Sequence, residues 1–116
     1  MWNHSMLEQK CQYIFDNLGW DVIVPEDSVG LDYDFLISKN NEIYGMVEVA
    51  NLSNLTAQTK RLKRLLENVT TNIKPKLFVL TNGFAFDVYY FGELYGCLTV
   101  PPTPEDVDLL LGGEDA

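Results

Sequence analysis

Basic, imidazole and sulfur-containing side chains are all scarce in this chain of 116 residues. Eight lysines and arginines stand against 17 acids, giving a formal net charge of −9, and there are two cysteines and one histidine. The acidic balance argues against non-specific nucleic-acid binding by the chain as a whole. Cys11 and Cys97 lack a C-x-x-C spacing, which excludes a zinc knuckle, and both are expected to be small core residues. His4 has no cysteine or histidine neighbour and is expected to be a solvated terminal residue.

Long apolar runs are also missing. No stretch approaches the ~18 consecutive apolar residues that a membrane-spanning helix needs. Residues 1–5 lack the basic and apolar regions of a secretory signal, so a cytoplasmic protein with no membrane partner is expected. The composition, with 47% hydrophobic and 12% aromatic residues, is that of a globular protein. We therefore expect one domain over residues 1–116.

The few basic residues are clustered rather than spread. Six of the eight fall within residues 60–76. Four of them lie in a helix predicted from Asn54 to about Val69, and these are Lys60, Arg61, Lys63 and Arg64. They could contact phosphates, or they could form a solvated face that balances a very acidic protein. The sequence leaves both interpretations open.

Periodicity predicts a mixed α/β domain. Ser5 and Glu8 have the spacing of a capping box and begin a first helix, which Gly19 ends. Strands are predicted over residues 20–24, 31–38 and 43–50, with a turn between the last two.

After the second helix, the pattern predicts a buried strand over residues 76–80 and a returning strand over 84–91. Asn82-Gly83 between them is the favoured two-residue hairpin turn. A variable strand follows, and a closing helix begins at Thr103-Pro104 and ends at Gly112. The predicted order is α-β-β-β-α-β-β, then the variable strand and the last helix.

Carboxylates are predicted to converge on the two neighbouring strands 31–38 and 43–50. Asp32 and Asp34 share one face of the first strand. On the second, one face carries Tyr44, Met46, Glu48 and Ala50. If the strands pair as a hairpin, Asp32 and Glu48 approach closely enough to share Mg²⁺ or Mn²⁺. Such an ion could orient a water against a phosphodiester. The same alternation also fits acids that merely face solvent.

Three segments carry a resemblance to a known family. They are GLDYDF at 30–35, MVEVA at 46–50 and LTNGF at 80–84. Together with the order of elements, they resemble the PD-(D/E)XK nuclease superfamily, and most closely the N-terminal nuclease domain of type I restriction enzyme R subunits. The similarity spans residues 6–98. It implies a restriction-endonuclease-like mixed β-sheet flanked by helices.

The resemblance also implies roles for individual residues. Asp32 and Glu48 match the catalytic, metal-binding acids of the family, and Val49 would lend its carbonyl to the metal. Gln58 matches the family glutamine, which explains a polar side chain within an apolar helical stripe, although a tolerated edge position explains it equally. Glu8 could match a first-helix glutamate, but the capping box explains it more simply.

The sequence departs from the family at the catalytic lysine. Ala50 stands in its place, followed by Asn51, and a methyl group cannot stabilise developing negative charge. Lys60 is the nearest substitute, but on a regular helix it lies about 160° from the stripe containing Gln58. The glutamine's usual tyrosine companion is replaced by Leu62. Two losses in one site favour a degenerate nuclease fold.

Three functions remain open from the sequence. The leading one is a degenerate, weak or inactive nuclease-fold domain that binds nucleic acid or a protein partner in restriction, defence or DNA processing. The second is an active Mg²⁺-dependent DNase. The third is an acidic interaction protein or nucleic-acid mimic. A chain this small often needs a second copy to cleave both strands of a duplex, so a homodimer is also considered.

Overall fold

The computed structural model of the protein describes residues 3–26, 33–50 and 76–114, with side chains up to residue 111. Within these ranges the predicted mixed α/β architecture is confirmed as six strands and two helices. The elements are α1 (His4–Asn17), β1 (Asp21–Ile23), β2 (Phe35–Lys39), β3 (Glu42–Val49), β4 (Leu77–Thr81), β5 (Phe86–Tyr90), β6 (Glu93–Leu98) and α2 (Pro104–Glu114). The predicted helix over 54–69 lies outside the described residues. None of the described helices has the length and apolar content needed to cross a membrane.

The six strands form one mixed sheet in the order β1-β2-β3-β4-β5-β6. All neighbours are antiparallel except β3 and β4, which are parallel. The predicted antiparallel pairing of 31–38 with 43–50 is confirmed, because Phe35–Lys39 pairs with Glu42–Val49. A parallel neighbour needs a connection of a dozen or more residues, and residues 50–76 provide it.

Two-residue turns occur at two places in the sheet. Asn40 and Asn41 join β2 to β3 with φ values of 54° and 64°, and Phe91 and Gly92 join β5 to β6 with 52° and 83°. Positive φ at both central residues is typical of the type I′ turn, whose twist matches that of the flanking strands. The turn predicted after residue 38 is therefore confirmed.

The predicted two-residue turn at Asn82-Gly83 is wrong in size. Thr81 pairs with Phe86, so the loop contains the four residues 82–85. The Asn82 side-chain oxygen accepts from the N–H groups of Phe84 at 3.0 Å and Ala85 at 2.9 Å. The Thr81 hydroxyl accepts from the Gly83 N–H at 2.9 Å. These side chains satisfy the loop backbone, so the strands need not continue to the glycine.

The start of α1 and the end of α2 differ from the predictions. Asn3, not Ser5, caps α1, because its side-chain oxygen accepts from the Met6 N–H at 2.8 Å. Gly19 follows the helix with φ of 101°, as its left-handed role predicts. At α2, the Thr103 hydroxyl accepts from the Asp106 N–H at 3.1 Å, which confirms the predicted cap. That helix continues to Glu114 rather than ending at Gly112, since glycine lowers helix stability without forbidding it.

The core lies on both faces of the sheet. The face under α1 is packed with Leu7, Cys11, Phe15, Trp20, Phe35, Ile37, Val47, Val49, Leu77, Val79, Phe86, Val88 and Val107. The opposite face carries Met46, Ala50, Phe78, Leu80 and Tyr89. Cys11 is buried as predicted, but Cys97 is exposed on β6, so the core prediction for it is wrong.

Tyr44 does not share a face with Met46 and Ala50, contrary to the prediction. Ile37 pairs with Gly45 and Ser38 with Ile43, so Tyr44 is an extra residue that the opposite strand does not match. Such a β-bulge shifts the alternation by one residue. Tyr44 consequently packs on the α1 side, where its ring lies 5.3 Å from that of Trp20.

Candidate functional site

Asp34 lies just before β2 and forms hydrogen bonds with Val47 and Val49, the two residues that flank Glu48 in β3. Its N–H donates to the Val47 carbonyl at 2.8 Å, and its Oδ2 accepts from the Val49 N–H at 2.6 Å. The short second bond is typical of a charge-assisted interaction with a carboxylate. Asp34 therefore ends the pairing of β2 with β3, and its carboxylate is fixed at the backbone of Val49.

Two residues of α1 lie against this carboxylate. His4 and Glu8 are four positions apart, so they share one face of the helix. His4 Nε2 is 3.1 Å from Asp34 Oδ1 and 3.7 Å from Glu8 Oε2. One ligand atom from each of the three residues lies within 4.8 Å of the others. We call His4, Glu8 and Asp34 the acid–histidine cluster.

Each acid of the cluster is held by one oxygen and presents the other to His4. Asp34 is anchored through Oδ2 by the Val49 N–H, and its Oδ1 faces the imidazole. Glu8 is anchored through Oε1, which accepts from the Gln12 amide at 3.4 Å, while its Oε2 faces the imidazole. His4 is half-exposed, whereas the two acids are largely covered. The cluster is thus open to solvent on the histidine side.

The electrostatics of the cluster favour a positive group among the acids. Partial burial and, secondarily, the negative charge of Asp34 raise the pKa of Glu8. His4 and the hydrogen bond from Gln12 act in the opposite direction but do not cancel the effect. Carboxylate and imidazole are common ligands of divalent ions, so these three residues could hold one, and they differ from the ligands Asp32, Glu48 and Val49 expected from the sequence.

Glu48, the predicted second metal ligand, lies on β3 between two residues of the α1-side core. Val47 and Val49 are fully buried on that side, so alternation directs Glu48 to the opposite face with Met46 and Ala50. The predicted shared face is confirmed for Met46 and Ala50, which pack in one core cluster, and alternation places Glu48 with them. Glu48 is half-buried and pairs with Leu80 of β4.

Other predicted site residues are only partly described. Asp32, Gln58, Lys60, Arg61, Lys63 and Arg64 lie outside the described residues. Their convergence on Glu48, or on phosphate, therefore stays a prediction. Val49 is described: its side chain is buried under α1 and its N–H is bound to Asp34.

Ala50 occupies the position where the resemblance expects a lysine. Only 5% of its surface is exposed, and its methyl group packs in the second core cluster with Phe78 and Leu80. Its N–H donates to the Thr81 carbonyl at 2.8 Å. This position therefore presents an apolar group on the same face as Glu48.

Lysines are few in the described part of the chain, which contains Lys10, Lys39 and Lys76 and no arginine. Lys10 Nζ lies 3.5 Å from the centre of the Phe84 ring, and Lys39 Nζ donates to the Gly19 carbonyl at 3.2 Å. The described surface is consequently dominated by acids. Strong phosphate contacts are not expected from it.

His4 and Asp34 are the site residues that sequence reasoning undervalued. His4 is exposed, as expected of a solvated terminal residue, but its imidazole also contacts Asp34, which the sequence did not predict. Placing the helix start at Ser5 left His4 outside the helix and hid its four-residue spacing from Glu8. Recognition of Asn3 as the N-cap would have revealed that pair.

Searches against protein-family models, curated proteins and solved structures find no match to this chain.

Proposed function

We propose that the chain is a restriction-endonuclease-like domain that binds nucleic acid and has lost efficient cleavage. The observation that carries the proposal is Ala50, a buried apolar residue on the face of Glu48 where a catalytic cation is expected. Asp34 at the entrance of one strand and Glu48 on the next supply acids, and among the described residues position 50 offers a methyl group rather than a cation beside them.

The missing cation is the reason for expecting little chemistry. A group that stabilises charge in the transition state commonly contributes about 10²–10³ in rate. Lys10 and Lys39 are engaged elsewhere, over Phe84 and on the Gly19 carbonyl. When bound, a divalent ion at the acids would supply Lewis-acid activation of water, and Asp34, Glu8 and His4 are the described residues that would hold it.

Nucleic acid is favoured as the partner by the uneven distribution of charge. The chain carries −9 overall, yet six of its eight basic residues fall within residues 60–76. An acidic body repels phosphate, so binding would be oriented by that one run. The residues proposed to contact phosphate are Lys60, Arg61, Lys63 and Arg64.

Binding is tested by fluorescence anisotropy with labelled single-stranded and duplex DNA over a series of salt concentrations. A Lys60→Glu, Arg64→Glu variant is expected to weaken binding of every sequence alike and to reduce the salt slope, because phosphate contacts position without specifying sequence. Lys39→Glu, which also reverses a positive charge, is the control. No binding by the wild type at low salt, or an unchanged salt slope in the double variant, would overturn the proposal.

Cleavage is tested with supercoiled plasmid in the presence of Mg²⁺ or Mn²⁺. The wild type is expected to leave the plasmid supercoiled. Robust nicking that disappears in both Asp34→Asn and Glu48→Gln would instead establish the active DNase, and the cation would then come from another part of the chain.

A further inference from the structure

We propose that a groove between β6 and α2 binds a short proline-rich peptide that carries a basic residue beside its prolines. The groove has a volume of about 500 Å³, and its walls come from the end of β5, from β6, from the segment that follows β6 and from α2. Most of its lining is apolar or aromatic. It shares no residue with the acid–histidine cluster or with the basic run at 60–76, so the inference is independent of the proposed nucleic-acid binding.

Large apolar side chains around the groove are in contact with solvent. Leu109 is 81% exposed, and Tyr95 and Val100 are each 59% exposed. Single apolar residues scattered over a surface are normal, but these three border one cavity. Apolar side chains grouped around a concave surface and rimmed by polar residues are typical of a binding site.

The walls of the groove are fixed before any ligand binds. The buried indole N–H of Trp20 donates to the Pro102 carbonyl at 2.9 Å. Thr103 and Asp106 exchange two bonds of 3.1 Å each, in which each backbone N–H donates to the other side chain. Tyr90 packs against the α1-side core. A preformed groove reduces the entropy that is lost when a ligand binds.

The aromatic and proline residues of the groove favour a ligand in the polyproline II conformation. The rings of Tyr90 and Tyr95 have centroids 5.2 Å apart and planes at 87°, so they form two perpendicular walls for flat pyrrolidine rings. Proline-rich segments bind in aromatic-lined grooves, and their extended conformation already exists in solution. Pro101 and Pro102 line the groove without an N–H, so an added β-strand could not accept hydrogen bonds from them.

The hydroxyl groups of the two tyrosines suit the same ligand. A polyproline II chain makes no internal hydrogen bonds, so its carbonyl oxygens are available to a donor on the binding surface. Tyr90 and Tyr95 each offer a phenol hydroxyl that can donate. Burial, followed by the charges of Tyr95 and Asp106, raises the pKa of Tyr90 to about 12, so this hydroxyl keeps its proton at neutral pH.

The charge of the groove indicates that the peptide is basic. Asp106 lines the groove, and no described lining residue is basic. Glu93 pairs with Tyr90 across β5 and β6, so the two side chains share one face of the sheet. A lysine or arginine beside the prolines would be attracted to these carboxylates and could lie over a tyrosine ring.

The test is fluorescence anisotropy with the peptide RPPAPPAP, labelled with fluorescein at its C-terminus. The wild type is expected to bind it about tenfold or more tightly than RGGAGGAG, which keeps the charge but loses the polyproline II preference. The neutral peptide APPAPPAP is expected to bind about three- to tenfold more weakly than RPPAPPAP, because it lacks the basic residue.

Two variants of exposed apolar residues locate the site. Tyr95→Ala is expected to weaken binding of RPPAPPAP about tenfold or more, because aromatic anchors dominate the affinity of such interfaces. Leu109→Lys places a positive charge on the groove and is expected to weaken binding at least as much. Both residues are largely exposed, so both variants are expected to fold, which urea unfolding verifies. Tyr13→Ala removes a tyrosine that is 69% exposed on α1 and is the matched control, which should bind like the wild type.

A third variant tests the charge pair. Asp106→Asn is expected to bind RPPAPPAP as weakly as the wild type binds APPAPPAP, and to bind APPAPPAP like the wild type. Asparagine keeps an oxygen that can accept from the Thr103 N–H, so the start of α2 should be preserved. Asp16→Asn, which removes an exposed acid from α1, is the control.

Three results would overturn the inference. The first is equal binding of RPPAPPAP and RGGAGGAG, or no binding of either. The second is binding that is unchanged in Tyr95→Ala and Leu109→Lys, or weakened equally for the charged and neutral peptides in Asp106→Asn. The third is a wild type that sediments as a dimer, becomes monomeric in Leu109→Lys and ignores the peptides, since a second copy of the chain would then cover the groove.

Discussion

The carboxylate of Asp34 accepts the backbone N–H of Val49 at 2.6 Å. A side chain thereby takes the place of the backbone carbonyl that would continue the pairing of β2 with β3. The valine is fully buried, so water cannot replace the acceptor. This bond both terminates the strand pair and fixes the acid that the candidate site uses.

Removing that acceptor is expected to destabilise the domain. Asp34→Ala leaves a buried N–H without a partner, which typically lowers the free energy of unfolding by about 1–3 kcal/mol. Asp34→Asn keeps an acceptor oxygen and is expected to lose less. Urea unfolding measures both, with the exposed Asp16→Asn as control. Equal losses in the two Asp34 variants would show that charge, rather than the acceptor, matters.

Gly45 is expected to be irreplaceable because β3 and β4 approach closely there. A Cβ at this position would lie 2.4 Å from the Leu77 carbonyl oxygen, which is backbone and cannot move aside. Gly45→Ala should lower stability by about 1–3 kcal/mol or more. Gly96→Ala on β6 is the matched control, since its Cβ would meet only the Leu98 side chain at 3.8 Å. Equal unfolding midpoints for the two variants would refute the close approach.

Phe91 has a strained backbone conformation in the turn between β5 and β6, so a suitable substitution there is expected to stabilise the protein. Its φ of 52° is left-handed, a conformation that asparagine tolerates better than bulky residues. Phe91→Asn should raise the free energy of unfolding by about 1 kcal/mol, while keeping the N–H that donates to the Lys76 carbonyl at 3.0 Å. Phe91→Ala retains the Cβ and the strain and should gain nothing. A gain of similar size in Phe91→Ala would mean that loss of the exposed ring, not relief of strain, is responsible.

Alkaline pH is expected to destabilise the protein. Burial raises the pKa of the Cys11 thiol from 9.0 to about 11 and that of the Tyr89 phenol from 10.0 to about 12. The unfolded chain therefore loses these protons at lower pH than the folded chain does. Stability should be fully present below pH 9 and fall as pH rises through 9–11 for the thiol and 10–12 for the phenol.

This pH dependence is checked by urea unfolding at several pH values. Tyr89→Phe removes the buried phenol and should flatten the decline between pH 10 and 12. Tyr13→Phe, which removes a phenol that is 69% exposed, is the control. A decline of the same steepness in Tyr89→Phe would assign the alkaline transition to other groups.

Ala50→Lys is the change expected to raise nuclease activity from a very low wild-type level. A lysine there starts on the face of Glu48, where a cation would stabilise developing charge. The position is only 5% exposed, so the variant is also expected to be less stable, because burying an ammonium group is unfavourable. Plasmid nicking is measured after thermal melting shows the variant folded, with Ala50→Met as a control of similar length. Equal nicking by Ala50→Lys and Ala50→Met would show that the positive charge at position 50 does not contribute to cleavage.

The sequence by itself determined the mixed α/β character of the chain, the antiparallel pairing of β2 with β3 and the apolar residue at position 50. Alternation and turn residues act between near neighbours, so the β2–β3 pairing and the Asn40-Asn41 turn were predictable. The loop after Thr81 was not, because its length depends on two side chains that bind the backbone in place of strand pairing.

Only the tertiary structure decided which residues meet at the site. His4 and Asp34 are 30 positions apart, and they touch because α1 packs over the sheet through Leu7, Cys11 and Phe15. The bulge at Tyr44 likewise departs from alternation, and it places the Tyr44 ring against that of Trp20. Local pattern predicts which face a strand residue occupies only where the alternation is unbroken, whereas bulges and contacts between distant segments depend on how the whole core packs, and sequence spacing carries no information about that packing.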